Sequence, residues 1–281
     1  MIQENLTAPK TGQPLPPVPK GLNVPFYYSS LSNCGVFYKV PVEKVIPYLQ
    51  NTGLAPANFD GMAMVSFNFQ LYAGQFDFGA SITQEVEFSI LVYPKAMESL
   101  IPDITFEDYL KGEDQTKLYG NHRVWVPCDN ENAIKAGVEL YGEPKFKTTF
   151  KINLPSLNAN PIGTIWSFST LDPKHPNETI FTCKFETKGL TRYPANFSPI
   201  TEYGTHGGKM IACRWNILQP LDTYFFEDGT KQVKLDFGNS NHPMKKDMEN
   251  LIGDTPATAA RTLLPPPIAI NSGAYYPIKI N

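Results

Sequence analysis

Proline and glycine interrupt this chain so often that its regular elements are expected to be short. Twenty-six prolines and twenty glycines are spread over 281 residues. Each proline fixes φ and removes a backbone donor, so helices and strands must be short or end at these points. Between the breaks, apolar residues recur mainly at every second position, the period of a strand with two unlike faces. Residues 62–72 set Phe67, Phe69 and Leu71 against Ser66, Asn68 and Gln70, and residues 81–93 carry Ile82, Val86, Phe88, Ile90 and Val92 among polar neighbours. The same reasoning predicts strands at 35–40, 124–126, 146–154, 164–170, 179–187, 209–218 and 232–237, separated by turn dipeptides such as Asp172-Pro173 and Asp228-Gly229. Helical spacing occurs only at 42–49, 96–100, 106–110, 131–141 and 244–252. The expected class is α+β, mainly antiparallel β with a few peripheral helices.

Residues 1–24, with Pro14, Pro16, Pro17 and Pro19, read as an extended arm. Residues 25–281 read as a single domain, with neither an internal repeat nor a linker between separately composed halves. Residues 94–120, charged and helical, look like an excursion from the sheet. A formal net charge of −3 and a pI near 5.8 disfavour a nucleic-acid partner, which requires clustered Lys and Arg. No run approaches the roughly 20 apolar residues of a membrane span, and the N-terminus lacks a secretory apolar core, so a cytoplasmic location is expected. Cys34, Cys128, Cys183 and Cys213 are too scattered for a thiol motif and read as buried free thiols. The four histidines lack ligand spacing, so no metal is expected. Nucleophile-elbow, dinucleotide and phosphate-loop patterns are absent, and no cofactor is expected.

The segment 129–145 carries the most chemistry. Asp129 or Asn130 can cap a helix, Ala133, Ala136, Gly137 and Leu140 give it a face of small side chains, and Gly142 supplies a left-handed stop. Pro144 forbids continuation, so Lys145 opens an extended run with Lys147 on the same side, about 7 Å away by strand geometry. An amine is thereby pinned at a helix-to-strand junction.

This segment resembles the one that carries the Schiff-base lysine of the acetoacetate decarboxylase family: Asp129-Asn130-Glu131, Ala133-Ile134, Gly137, Glu139-Leu140 and Pro144-Lys145 fall at the family's spacing. Phe59-Asp60 with Met62-Ala63-Met64, and Asp77 with Gly79 and Ile82, are similar to two more of its segments. Arg261-Thr262-Leu263-Leu264-Pro265 falls weakly at its final strand. The resemblance implies a cone-shaped antiparallel β-barrel, a homo-oligomer, and a cofactor-free lyase acting on a keto acid or related carbonyl compound. Lys145 would be the nucleophile and Asp77 the proton shuttle, with Asp60, Glu143, Phe78 and Trp125 around the substrate. Such chemistry needs a neutral amine, whose pKa is lowered by a nearby cation or by desolvation; acetoacetate decarboxylase is itself the standard illustration of that rule.

The chain also departs from the family. Phe146 stands where a second lysine follows the first, leaving Lys147 or desolvation to activate Lys145, with desolvation expected to dominate. Asp60 and Asp77 replace glutamates, Glu143 replaces an aromatic residue, and Ser30-Leu31-Ser32-Asn33 lacks the family's carboxylate-holding arginine. Arg123 or Arg192 could serve in its place, but each reads first as a surface ion-pair partner. These differences favour an aldol, retro-aldol, dehydration or cyclisation reaction over loss of CO2 from acetoacetate. The alternative is a barrel that binds a small molecule without turnover.

Overall fold

A computed structural model describes residues 17–76, 79–156, 165–227 and 231–269. The chain begins with a long strand β1 (Tyr28–Pro41), one helical turn α1 (Val42–Val45) and the short β2 (Leu54–Pro56). The two longest strands follow, β3 (Met62–Phe76) and β4 (Gly79–Pro94); at 15 and 16 residues they exceed the short elements expected from the proline content, because no proline falls within either before Pro94. Then come α2 (Phe106–Lys111), β5 (Gly120–Cys128), α3 (Glu131–Ala136) and β6 (Lys145–Lys147). Three strands, β7 (Phe150–Asn153), β8 (Ile165–Leu171) and β9 (Thr179–Glu186), lead to β10 (Tyr193–Ala195), β11 (Ile200–His206), β12 (Lys209–Trp215) and β13 (Leu221–Phe225). The last elements are β14 (Val233–Phe237), α4 (Pro243–Leu251) and β15 (Ala259–Leu263).

The strands form two sheets. The larger runs β10-β13-β15-β1-β3-β4-β5-β11-β12, with β2 beside β4 and β6 beside β5; the smaller runs β14-β9-β8-β7. Pairing is antiparallel except where β5 meets β6 and β11. The α+β, antiparallel-rich class expected from the alternation is therefore observed. The closed barrel is not: among the described residues the hydrogen-bonded order is an open path from β10 to β12. The sheet nevertheless curls until Trp215, at the end of β12, meets the ring of Tyr28 at the start of β1, with centroids 5.8 Å apart.

Alternation assigns each face of this curled sheet its own role. Val36, Val65, Phe67, Phe69, Val86, Phe88 and Ile90 project to one side and pack on Trp166, Phe168, Phe181 and Phe185 of the small sheet. Phe69 stacks on Phe168 at 5.0 Å and Phe67 lies 5.3 Å from Phe181. Burying each such ring is worth about 1.5–3 kcal/mol, so this layer fixes the register of β3 and β4. The opposite face carries Ser66, Asn68 and Gln70 directly across from Ser89, Glu87 and Glu85. These six residues are also buried or nearly so, because the open sheet curls over them.

A second apolar cluster, including Phe37, Phe59, Met64, Leu91, Phe106 and Phe197, packs on that same side. The stretch between β4 and β5 contributes to it through α2, whose start is held by a reciprocal cap: Thr105 accepts from the Asp108 N–H, and the Asp108 carboxylate accepts from the Thr105 N–H.

Candidate active site

The helix before Lys145 forms for the reasons its sequence suggests, with one change. Asn130 is the cap: its side-chain oxygen accepts from the N–H groups of Asn132 and Ala133. Asp129 instead accepts from the Gln84 N–H at 2.8 Å and fastens the helix start to β4. Beyond Ala136 the helix widens into a π-type turn, Gly137–Tyr141, in which the Gly142 N–H reaches the Gly137 carbonyl five residues back. Gly142 has φ +65°, and Pro144 then sends the chain into β6, where Lys145 lies beside Val126 of β5. The widened turn lets the Lys145 side chain fold back over Gly137, where a methyl group would overlap both Lys145 and the Glu143 carboxylate.

Lys145 is buried, its side chain only 5% exposed, with its Nζ 2.6 Å from Glu85 and 3.3 Å from Glu143. Glu85 is held in turn by the Gln70 amide, which donates to it at 2.5 Å. Glu143 also faces Arg123 at 3.8 Å. Arg123 is buried as well: it pairs with Glu87 at 2.7 Å and with Glu202, and it donates to the Ser89 hydroxyl at 2.9 Å. Asn68 donates to Glu87 at 2.8 Å and accepts from Asn33 at 3.0 Å. Strands β1, β3, β4, β5, β6 and β11 thus converge on one buried network of two cations and four carboxyl groups.

Burial and charge pull in opposite directions here. Burial alone would lower the Lys145 amine, but Glu143 and Glu85 outweigh it and hold the ammonium well above the ordinary lysine value. The neutral resting amine expected from desolvation is therefore not found, because the desolvated nitrogen is given two carboxylate partners. Lys147, the other candidate activator, points away: it is exposed and paired with Glu131. Burial raises the Glu143 carboxyl against the pull of Lys145 and Arg123. It pushes Glu87 up to about 8, against the pull of Arg123.

The Glu87 shift has a measurable consequence. The unfolded chain releases this proton near 4.5 and the folded protein near 8, so between those values only the native state holds it. Native stability therefore declines as pH rises through that window. Glu87→Gln keeps an acceptor for Asn68 and Arg123 but removes the titration. In urea melts, wild type is expected to lose on the order of 2 kcal/mol relative to the variant between about pH 5 and pH 8. Parallel pH profiles would rule out a proton on Glu87.

The remaining sequence-derived positions separate. Glu143 lies in the network, in contact with Lys145. Asp60 is exposed in the turn before β3, with φ +55°, at the far end of that strand from Gln70. Trp125 pairs in register with Phe88, whose side belongs to the intersheet core, and its indole N–H donates to Asp247. Neither residue is brought to Lys145. Asp77 and Phe78 lie outside the described residues. Arg192 is largely exposed and paired with Asp222, as a surface ion pair should be, whereas Arg123 is not at the surface. Glu85, Glu87 and Glu202 were not anticipated; the available signal was two glutamates inside an apolar strand, each in register with an amide on β3.

Two hollows adjoin the network. One of about 60 Å³ is lined by Asn33, Asn68, Glu87, Arg123 and Arg261 among others; a smaller one of about 10 Å³ lies between Arg123, Tyr141, Glu143 and Glu202. Lys145 lines neither. Among the described residues no cluster of His, Cys, Asp or Glu has metal-binding geometry, and no helix is long and apolar enough to cross a membrane.

No family model and no curated protein matches the sequence. Among solved structures, the enduracididine biosynthesis enzyme MppR, complexed with the condensation product of pyruvate and imidazole 4-carboxaldehyde, superposes with a TM-score of 0.58 at 11% identity, covering 86% of each chain. The chain shares the fold of that enzyme. An acetoacetate decarboxylase structure matches with a TM-score of 0.48 at 13% identity, over 87% of this chain and 88% of the other. A second, from Legionella pneumophila, gives the same score and identity over 89% and 90%. Those two scores are too low to establish a common fold.

Proposed function

We propose that this protein is a divergent, cofactor-free enzyme of the acetoacetate decarboxylase superfamily, in which Lys145 condenses with a keto acid or related carbonyl compound to form a protonated imine. The observation that carries this reading is a buried amine with two carboxylates at 2.6 and 3.3 Å. Those carboxylates hold the resting ammonium, and they can also do the work of the reaction. Glu143 or Glu85 takes one proton from the ammonium, the neutral amine attacks the carbonyl carbon, a second proton moves from the nitrogen to the former carbonyl oxygen, and the carboxyl returns the first proton to that oxygen as it leaves as water. The nitrogen begins and ends with one positive charge, so the pairing that stabilises the ammonium also stabilises the iminium product. The iminium is an electron sink from which CO2 loss, aldol addition, dehydration or cyclisation can each proceed. The ligand in MppR, formed by joining pyruvate to an aldehyde, is what an enamine route would yield, and it favours carbon–carbon bond formation over simple decarboxylation.

A second reading, binding without turnover, draws on Lys145 being enclosed by its carboxylates and lining neither hollow. Borohydride reduction with pyruvate, acetoacetate and a panel of aldehydes, read by peptide mass spectrometry, separates the two. The expected result is a reduced adduct on Lys145 whose rate of formation rises with pH towards the lysine range, since the amine must first lose a proton. Ligand retained without any adduct would leave only the binding reading.

A further inference from the structure

Arg261 is a buried cation that the network does not use. It lies on β15 beside Gly35 of β1, is 8% exposed, and lines the larger hollow. Its guanidinium carbon sits 3.2 Å above the Phe197 ring and 4.9 Å from that of Phe37. Aromatic faces can hold the plane of a guanidinium but offer nothing to its in-plane N–H groups. Its Nε and Nη2 are buried without a hydrogen-bond partner, and among the described residues no carboxylate comes within ion-pair distance. The two acids lining the same hollow are engaged elsewhere: Glu87 by Asn68 and Arg123, and Asp114 by the N–H groups of Thr116, Lys117 and Tyr119. Burial without a counter-charge brings the Arg261 pKa down to about 9.

The two orphan atoms are not an arbitrary pair. Nε and Nη2 form one edge of the guanidinium, the edge whose two parallel N–H bonds match the two oxygens of a carboxylate. A hollow of about 60 Å³ holds only a few atoms the size of a water oxygen, which limits the ligand to a small one. Asn33, Asn68, Asn121 and Tyr109 add neutral polar side chains to its lining. We propose that this hollow is a binding site for a small carboxylate of two to four carbons, gripped side-on by Arg261 between Phe197 and Phe37. An anion there would supply the charge and acceptors that this buried cation lacks.

The test uses acetate, which has no ketone and so reports nothing about imine formation at Lys145. The 281-residue chain, labelled with ¹⁵N-arginine, carries four arginines, of which Arg123 and Arg261 are buried. Titration with acetate is expected to move the Arg261 Nε–H resonance downfield and raise Tm in a saturable manner, while acetamide, the neutral isostere, does neither. Arg261→Lys, which keeps the charge but loses the fork, is expected to weaken acetate binding at least 30-fold. Equal responses to acetate and acetamide, an acetate effect confined to Arg123, or no response at tens of millimolar would each overturn the proposal. Because the resonance is read in wild type, a poorly folding variant does not leave the question open.

Discussion

Lys145→Met is expected to abolish the reduced imine adduct and to lower native stability at neutral pH by about 3–5 kcal/mol. The first effect follows from removing the nucleophile. The second follows from what remains: methionine fills the space over Gly137, but the carboxyls of Glu85 and Glu143 stay buried without the ammonium that now sits 2.6 and 3.3 Å from them. Gln70 still donates to Glu85, and one hydrogen bond does not offset the cost of a buried charge. The deficit shrinks as pH falls and the Glu143 carboxyl, already raised by burial, takes up a proton, because a protonated carboxyl is far cheaper to bury. Lys145→Met combined with Glu85→Gln is expected to recover much of the stability while trapping stays at zero. Adduct formation in Lys145→Met at the wild-type rate would place the nucleophile elsewhere. A variant as stable as wild type at pH 7 would show that the amine is not paired as the geometry has it.

The sequence reveals which elements exist better than it reveals how the sheet closes. The alternation in β3 and β4, the helix around 131–141 and its glycine stop were readable because local period and capping decide them. Strands β2, β10, β11 and β13 escape that reading: β2 and β10 have three residues each and contain a proline, Pro56 or Pro194, which leaves too few positions for a period, and β11 and β13 carry no run of apolar residues at alternate positions. The run taken as one strand from Lys145 divides at Thr148, whose hydroxyl donates to the Leu171 carbonyl, and passes from one sheet to the other. Nothing in the local pattern marks that transfer. The polar network was hidden for a related reason. Ser66, Asn68 and Gln70 have the pattern of a solvated face, and only the curl that brings β11 and β12 over them makes it interior. Arg123 was misplaced by the same assumption. Spacing and likeness find Lys145, but its charge state depends on Glu143, two residues away and read as a substrate contact, and on Glu85, sixty residues away, which no local reading supplies.

Gly137→Ala tests the most specific feature of the site, because its effects on fold and on chemistry should diverge. Within a helix alanine is preferred over glycine by about 1 kcal/mol, which favours the variant. Against this, the new methyl overlaps the end of the Lys145 side chain and the Glu143 carboxylate. Both are flexible side chains, but at 5% and 8% exposure neither can swing into water. Overpacking of this kind costs about 1–3 kcal/mol, so the net change in stability is small, from near zero to about 2 kcal/mol of loss. The chemistry has no such compensation. Moving the nitrogen by about 1 Å separates it from the carboxylates that must take and return its proton, and misplacement on that scale costs about 100-fold in rate. Gly137→Ala is therefore expected to unfold within about 2 kcal/mol of wild type in urea while trapping a carbonyl ligand about 100-fold more slowly. Ala133→Gly, one turn earlier on the same helix, should show the reverse: lower stability from helix propensity and an undiminished trapping rate. If Gly137→Ala proves more stable and traps as fast as wild type, the amine does not rest on that turn, and the π-widened helix end has no part in positioning it.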